Sequence, residues 1–347
     1  MNFYTQHHKH YCGIDLHARA MYVCILDQHG TKLVHKNLPT TPEAFLRVSA
    51  PYRDELVVGV EGMFTWYGLA DLCAKAGIAV VLGPALYMQA IHGGKAKNDK
   101  IEAHKIAVLL RGGMLPQAYV YPAEMRATRD LLRRRCHLVR KRAELLAHIQ
   151  HTNSQYNLPE IGKKLAYRAN REGVQEHCPD PSLRKTIAVE VSLIAHYAKW
   201  LGEVELSITR TAKAHDVPTF SRLPSVPGIG QILALVLLYE LQDIARCPRV
   251  QDFVSYCRLV KCAKESGGKR LGTSGKKIGN VQLRWAFAEA AVLCLRQNQP
   301  GKEYFAKLEH THGKAKALTV LAPKLARAVY DLLSRAQAFA LNRFVTV

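Results

Sequence analysis

Three short apolar segments near the beginning of the chain constrain its fold more than any other feature of the sequence. Residues 11–16, 21–26 and 33–37 each have the length and the apolar character of a β-strand. The sequence at 27–30, between the second and third segments, is typical of a turn. Together these segments predict a three-stranded meander.

After the meander, the pattern alternates between helix and strand. Helical periodicity extends over residues 42–49 and 66–76, while residues 56–60 and 78–82 are short apolar segments with the character of buried strands. Strands that alternate with helices after an initial meander predict an α/β sheet of the ribonuclease-H kind.

Acidic residues occur at the ends of the predicted strands. Asp15 lies within the first strand and Glu61 directly follows the fourth, at the strand ends where α/β sheets bind ligands. Residues 99–111 are predicted to be helical, which places Asp99 and Glu102 on one face. A two-metal centre needs several carboxylates from different elements, because two hard cations require oxygen ligands around the scissile phosphate. These four acids are therefore candidate metal ligands.

Each acid also has a structural alternative. Asp15 can be a strand-edge aspartate that faces water, and Asp99 with Glu102 has the Asp-x-x-Glu pattern of a helix capping box. His17 and His104 are near the acids in the sequence, and we interpret both as surface histidines.

Length and charge define the class of partner. A chain of 347 residues is longer than one hydrophobic core usually supports, so we expect two packed domains and a helical spacer. Lys and Arg number 49 against 28 Asp and Glu, a formal net charge of +21 that favours DNA or RNA as the partner. The alternatives are a basic protein that its charge keeps in solution and a protein that binds acidic lipid.

Cysteine usage and hydropathy indicate the compartment. Nine scattered cysteines without a Cys-x-x-Cys pair fit a reducing cytoplasm, and Cys257 and Cys262 are interpreted as small core residues. The apolar run 232–238 is too short to span a bilayer, and residues 1–10 lack an apolar signal segment. We therefore expect a cytoplasmic protein without a membrane partner.

A long basic helix is predicted over residues 124–156. Its arginines, including Arg133 and Arg134, alternate with leucines, so the helix can pair with another chain or lie along nucleic acid. The alternative is a solvated charged face on an ordinary bundle helix. Residues 157–184 are predicted to form a connector with weak local structure, and a further helix follows over 185–215.

A glycine-rich turn opens the last third of the chain. The sequence Pro227-Gly228-Ile229-Gly230 precedes a helix rich in Leu, Val and Ala and resembles the hairpin of helix-hairpin-helix proteins, whose backbone N–H groups bind DNA phosphates. Gly228 and Gly230 are therefore candidate nucleic-acid-binding positions. An ordinary glycine-rich helix start would have the same sequence.

A basic stretch farther along contains two candidate nucleophiles. Ser266-Gly267 and Ser274-Gly275 both lie among small residues and cations, and the spacing alone does not decide between the two serines. A serine nucleophile must lose its proton while the charge of the phosphorane is neutralised. The candidate phosphate-binding cations are Lys264, Lys269, Arg270, Lys276 and Lys277. The alternative is a flexible basic loop that binds nucleic acid without chemistry.

These motifs together resemble a known family, the bridge-RNA-guided transposases of bacterial insertion sequences, which are DEDD recombinases related to the Piv-type DNA invertases. The resemblance covers nearly the whole chain. In chain order it rests on Gly13-Ile14-Asp15, Gly59-Val60-Glu61, Lys97-Asn98-Asp99-Lys100-Ile101-Glu102-Ala103, Pro227-Gly228-Ile229-Gly230, Lys264-Glu265-Ser266-Gly267, Gly279-Asn280 and Leu283-Arg284.

The resemblance implies three domains. They are a RuvC-like catalytic domain over residues 1–122, a helical coiled-coil spacer and connector over 123–220, and a mainly α transposase domain with a catalytic serine over 221–347. It also implies that Asp15, Glu61, Asp99 and position 102 bind Mg²⁺, as two ions or one ion plus water, with Mn²⁺ able to substitute. Ser266 is the implied nucleophile, and Ser274 is the second choice.

The resemblance further implies the partners and the reaction. A guide RNA pairs with donor and target DNA, a dimer or tetramer shares active sites between chains, and the protein acts at the bacterial nucleoid. The family usually has aspartate where this chain has Glu102, and the longer side chain shifts the oxygens of a site that Mg²⁺ holds strictly. The expected function is RNA-guided strand exchange through a phosphoserine. The alternatives are a hydrolytic junction nuclease and a protein that binds RNA and DNA without cutting.

Overall fold

The computed structural model describes residues 2–91, 98–159, 161, 164–274 and 278–337. The chain divides into two compact units, Met1–Ala123 and Glu124–Val347. The segments predicted as spacer and as C-terminal domain both fall within the second unit. Within the described ranges, no helix combines the length and the apolar character that crossing a membrane requires.

The first unit is built on one mixed β-sheet. The strands are β1 His10–Leu16, β2 Ala20–Asp27, β3 Lys32–Pro39, β4 Leu56–Glu61 and β5 Ala79–Gly83. Their order in the sheet is β3-β2-β1-β4-β5. Strand β2 pairs with β1 and with β3 in antiparallel fashion, while β4 pairs with β1 and with β5 in parallel. The predicted meander followed by alternating strands and helices is therefore confirmed.

Helices cover both faces of this sheet. The helices are α1 Pro42–Ser49, α2 Trp66–Lys75, α3 Ala85–Ile91 and α4 Asp99–Arg111. On one face, α1 and α2 pack their apolar side chains, among them Phe45 and Trp66, against Ile14 and Val60. On the other face, α4 packs Ile106 and its neighbours against the sheet. Helices predicted over 42–49, 66–76 and 99–111 are confirmed to within a residue.

Gly13 sets the distance between α4 and the sheet. A Cβ atom at this position would lie 2.2 Å from the carbonyl oxygen of Ala103 and 2.4 Å from the amide nitrogen of Ala107, both in α4. Only glycine permits so close an approach of helix backbone to strand backbone. Gly13 therefore fixes where α4 begins relative to the end of β1.

The second unit is mainly helical. Its elements are α5 Ala123–Gln155, α6 Pro181–His215, α7 Val217–Arg222, α8 Gln231–Leu241, α9 Val250–Tyr256, β6 Cys262–Ser266, β7 Lys269–Ser274, α10 Val281–Gln297, α11 Gln299–His312 and α12 Lys314–Arg335. Helix α8 is apolar on all sides and lies in the centre of a core to which α10 and α12 contribute. Strands β6 and β7 pair as a two-stranded hairpin.

Two predictions for residues 157–184 were wrong. Helix α6 begins at Pro181 and not at 185, because Asp180 caps it by accepting hydrogen bonds from the amides of Ser182 and Leu183, and proline is well tolerated at a first helical position. The described part of the connector is also ordered: it forms 3-10 helices at Arg168–Asn170 and Val174–His177. It shares a small apolar core with α5 and α6.

Candidate functional site

Asp15 and Glu61 lie side by side at one end of the sheet. Ile14 in β1 pairs with Val60 in β4, so the next residue of each strand falls at the same edge. Ile14 and Val60 both point into the core beneath α1 and α2. Because side chains alternate along a strand, Asp15 and Glu61 project to the opposite face, the one that α4 covers. The predicted pairing of the two strands is confirmed, and it brings these two acids together.

Asp99 and Glu102 occupy the first turn of α4. The residue that caps this helix is Asn98, whose Oδ1 accepts a hydrogen bond from the amide of Ile101 at 2.9 Å. The capping-box alternative for Asp99 and Glu102 is therefore wrong, because Asn98 already provides the cap. Asp99 is more than half exposed, and it points toward the end of β1.

His17 joins the acids, which the sequence analysis did not foresee. Its Nε2 lies 3.5 Å from Oδ2 of Asp15 and 3.7 Å from Oδ1 of Asp99. One ligand atom from each of Asp15, His17 and Asp99 lies within 4.8 Å of the others, and in the described part of the chain this is the group with the spacing of a metal site. The signal in the sequence is its spacing, two residues after Asp15 at the end of the same strand.

The electrostatics of this group favour a cation. Burial raises the pKa of the Asp15 carboxyl, and the charges of Glu102 and Asp99 raise it further, while His17 lowers it. Asp15 is only 8% exposed, so its negative charge is costly when ionised. A donor set of carboxylate oxygens with one imidazole fits a hard divalent ion such as Mg²⁺, and the nitrogen donor is tolerated well by Mn²⁺. We call Asp15, His17, Glu61, Asp99 and Glu102 the acidic site.

Ser266 ends strand β6 in a β-hairpin, so the prediction of a flexible loop was wrong for the described part of this stretch. It pairs with Lys269 across Gly267 and Gly268, whose φ angles of 57° and 73° define a two-residue turn with both central residues left-handed. Ser266, Lys269 and Arg270 are exposed. The hairpin therefore presents a hydroxyl and cations at its tip, while Lys276 and Lys277 lie outside the described residues.

The two candidate serines are at opposite ends of this hairpin. Ser274 pairs with Cys262 at the base, whereas Ser266 is at the tip. Ser266 lies four steps along the extended strand from Cys262, which corresponds to about 13 Å. The backbone positions of the two serines are therefore too far apart for both to lie beside one bound phosphate. The backbone of Lys264 lies in β6, between these ends.

Gly228 has a packing role that the sequence analysis missed. With φ at 87°, it places its Cα against α10, and a Cβ atom would lie 2.2 Å from the carbonyl oxygen of Ala290 and 2.6 Å from the amide nitrogen of Cys294. This contact explains the glycine without a bound phosphate. Gly230, which precedes α8, has open space around its Cα, so of the two glycines it is the one that leaves room for a ligand.

Arg133 is exposed, and its guanidinium also has a partner within the protein. Its Nε donates to Oε1 of the buried Glu240 at 2.6 Å, and Nη2 of Arg129 donates to Oε2 at 3.0 Å. Asn280 adds a hydrogen bond of 2.8 Å to Oε2 and caps α10 through its own Oδ1. We call these four residues the Glu240 network. Arg134, one position along α5, is exposed.

The network keeps Glu240 ionised. Burial raises the pKa of its carboxyl, but the hydrogen bond from Arg133 and the charges of Arg129 and Arg133, with the hydrogen bond from Asn280, outweigh it and hold the pKa below its usual value. The network joins α5, α8 and the start of α10, the helix that follows the hairpin. Glu240 is an isolated acid in an otherwise apolar helix, and this signal was available in the sequence.

An α/β unit with a cluster of carboxylates at its strand ends, in one chain with a basic helical unit, is typical of enzymes that act on nucleic acid. Comparison with known proteins identifies the family. Residues 12–157 match the DEDD domain of the IS110 transposases, and residues 220–306 match the family described as Transposase IS116/IS110/IS902. The two matches together cover well over half of the sequence, and the chain belongs to the IS110/IS116/IS902 family of transposases.

Relatives of known name agree with this assignment. The chain is 25% identical over 257 residues to the transposase for insertion sequence element IS1111A of Coxiella burnetii, a match over 70% of this chain and 68% of that protein. It is 24% identical over 335 residues to the transposase for insertion sequence element IS1328 of Yersinia enterocolitica, a match over 94% of this chain and 97% of that protein. The protein is therefore a DNA transposase, as the sequence analysis predicted.

Proposed function

We propose that this transposase carries out RNA-guided DNA strand exchange through a covalent phosphoserine intermediate, with divalent cations held at the acidic site. The observation that supports the proposal best is the buried Asp15 carboxylate, which faces both His17 and Asp99 at the end of the sheet. A carboxylate in such a place is stabilised by a cation.

Asp15, Glu61, Asp99 and Glu102 would bind Mg²⁺, as two ions or one ion plus water, and Mn²⁺ would substitute. His17 extends this donor set. Bound cations would supply positive charge to the phosphate that reacts. Glu102 already acts on Asp15 through its charge, so the longer side chain remains close to the site despite the departure from the usual aspartate.

Ser266 is the proposed nucleophile. Its Oγ forms a bond to the phosphorus of a DNA strand, the bond from phosphorus to one strand oxygen breaks, and that oxygen takes up the proton that the serine loses. Lys264, Lys269 and Arg270 stabilise the charge of the phosphorane. Attack by the hydroxyl of another strand then releases the serine and completes the exchange without hydrolysis. Lys276 and Lys277 remain candidate phosphate contacts on the sequence alone.

The remaining parts of the proposal follow from the charge and the family. A net charge of +21 suits a protein that holds guide RNA, donor DNA and target DNA together. We assign residues 1–122 to a RuvC-like domain, 123–220 to a coiled-coil spacer, and 221–347 to the serine-bearing domain with a helix-hairpin-helix-like segment at Gly230. The active form is a dimer or tetramer at the bacterial nucleoid, in which Arg134 contacts nucleic acid.

Strand exchange on paired donor and target DNA with the cognate RNA tests this function. Asp15→Asn and Ser266→Ala should each abolish exchange and leave RNA binding nearly unchanged. The matched controls are Asp54→Asn, an exposed aspartate paired with Lys9, and Ser274→Ala. Full exchange by the Ser266→Ala protein would remove the nucleophile assignment.

The products distinguish the proposal from its alternatives. A hydrolytic junction nuclease would release free ends and never remain attached to DNA. A protein that only binds would show no turnover at any concentration of Mg²⁺ or Mn²⁺. Joined strands, formed with a protein–DNA adduct as the intermediate, would support the proposal.

A further inference from the structure

Arg171 is buried without a hydrogen-bond partner for most of its charged group. The residue is 7% exposed, and its Nε and Nη1 atoms have no acceptor among the residues that the structure describes. Arginine is seldom buried unless it is paired. A guanidinium that leaves its donors unused therefore indicates a partner outside the described residues.

Two further arginines, Arg142 and Arg168, act on Arg171 through their positive charges. Burial lowers the pKa of its guanidinium, and the positive charges of Arg142 and Arg168 lower it further. These two charges, which contribute to the lowered pKa, are both positive. Arg142 comes from α5 and is half-buried, while Arg168 belongs to the connector and is exposed. Two like charges beside one buried arginine favour an anion as its partner.

The connector holds these arginines on a defined framework. Leu165 and Val174 anchor its two sides in the apolar core shared with α5 and α6. Between them, the amide of Arg171 donates to the carbonyl of Arg168, and the side-chain amide of Asn170 donates to the carbonyl of Lys164 at 3.0 Å. These contacts fix the backbone of the connector on which Arg168 and Arg171 lie.

The chemistry of the cluster indicates a phosphate in a nucleic-acid strand. The planar guanidinium donates two parallel hydrogen bonds to phosphate oxygens more effectively than a lysine can. Tyr167 precedes Arg168 in the chain, and its side chain is 64% exposed. Exposed aromatic rings beside a positive groove are the platforms on which unpaired bases stack.

We propose that Arg142, Arg168 and Arg171 bind a backbone phosphate of a nucleic-acid strand with unpaired bases, and that Tyr167 stacks on a base of that strand. The site goes beyond the proposed strand exchange and does not depend on the acidic site or on Ser266. It places a nucleic-acid contact on the connector between α5 and α6, a segment that the sequence analysis treated as weakly structured.

Binding and stability measurements on the full chain test the site. Arg171→Met replaces the buried charge by an apolar side chain of similar length, and Arg210→Met, at an exposed position of α6, is the matched control. The probes are labelled single-stranded RNA, single-stranded DNA and duplex DNA, together with inorganic phosphate, all in the presence of a chelator. Without metal ions, failure of this site would leave the strand-exchange proposal standing.

We expect Arg171→Met to weaken single-strand binding by a factor of about ten. The slope of log affinity against log salt should fall by about one phosphate contact. Tyr167→Ala should weaken binding of the single strands more than binding of the duplex. Inorganic phosphate should raise the melting temperature of the wild type and of Arg210→Met more than that of Arg171→Met.

The nucleic-acid-free proteins provide a second, independent readout. A buried charge among like charges costs stability, so the melting temperature of Arg171→Met should equal or exceed that of the wild type. A purely structural arginine would give a lower melting temperature. Such a drop, or an unchanged affinity and salt slope relative to Arg210→Met, would overturn the proposal. Equal losses for single strands and duplex in Tyr167→Ala would overturn the stacking role.

Discussion

The acidic site and the serine hairpin are built in opposite ways. Asp15 is a buried residue of a central strand, with a neighbouring strand on each side and α4 pressed against Gly13. Ser266 is exposed at the tip of a hairpin in which each strand has one partner. A two-stranded ribbon is marginally stable by itself. The fold therefore fixes the geometry of the proposed metal ligands, whereas we expect bound nucleic acid to fix the position of Ser266, the proposed nucleophile.

We expect the largest effect from a substitution that separates α4 from strand β1 at Gly13. Gly13→Val introduces a side chain where even a Cβ atom would overlap the backbone of α4, so the helix must move and carry Asp99 away from Asp15. We expect the free energy of unfolding to fall by more than about 3 kcal/mol and hydrogen exchange in α4 to become faster. Metal binding should be lost as well.

The matched control for Gly13→Val is Gly68→Ala in α2, where a Cβ atom meets nothing within 4 Å. This variant should be as stable as the wild type or more so, because alanine favours helix. If Gly13→Val kept normal metal affinity, the contact between Gly13 and α4 would not be what positions Asp99.

The next largest effect is expected from the Glu240 network, which joins α5, α8 and the start of α10. Glu240→Gln leaves the buried Arg129 without its counter-charge. We therefore expect the free energy of unfolding to fall by about 3 kcal/mol. The loss should be measurable as faster hydrogen exchange in α8 and α10. Glu144→Gln, which removes an exposed partner of Lys141, should cost less than about 1 kcal/mol. Equal effects in the two variants would contradict a buried, paired Glu240.

The pH dependence of stability follows from the same network. The pKa of Glu240 is lower in the folded chain than in the unfolded chain. Its stabilising contribution is therefore complete above the unfolded pKa and is lost as the pH falls through the folded value. Acid titration of the second unit, followed by hydrogen exchange, should show this loss in the wild type, and Glu240→Gln should lack that component.

A smaller effect is expected from Asp15→Asn. Because the folded pKa of Asp15 is raised, its charge lowers stability progressively as the pH rises from the unfolded pKa through the folded one. Without metal at neutral pH, Asp15→Asn should therefore melt slightly higher than the wild type. Added Mg²⁺ or Mn²⁺ should stabilise the wild type and not the variant. A lower melting temperature without metal would show that Asp15 is already compensated within the protein.

We expect the smallest effect from substitutions in the turn of the serine hairpin. Gly268→Ala places a Cβ atom on a residue with φ at 73° and should strain the turn by about 1 kcal/mol. Gly267→Asn creates an Asn-Gly turn, which suits this geometry. We expect strand exchange to slow in the first variant and to persist in the second, with global melting unchanged in both. Equal exchange rates would show that the turn does not position Ser266.

Much of the first unit followed from its sequence, because period-two and helical patterns are local. Asp15 and Glu61 were placed correctly, since strand pairing alone brings them together. His17 was missed because its role depends on α4 lying over the strand end. Gly13 and Gly228 were missed as packing residues for the same reason: the helix that each one contacts is distant in the chain.

The second unit was harder to predict. Strands β6 and β7 are rich in Lys, Gly and Ser, which are poor strand formers, so the hairpin resembled a loop. Pro181 resembled a helix breaker, although the cap at Asp180 makes it a helix start. The Glu240 network joins residues more than 100 positions apart, and no local pattern could have paired them.

Trapping the protein on DNA tests whether Ser266 is the nucleophile and whether its reaction depends on Asp15. The transposase is incubated with guide RNA, Mg²⁺, and donor and target DNA, the reaction is stopped with denaturant, and the adduct is digested and mapped by mass spectrometry. The account predicts a nucleotide phosphate on Ser266, present in the wild type and absent from the Asp15→Asn protein. A phosphate on Ser274, or strand exchange without any adduct, would contradict it.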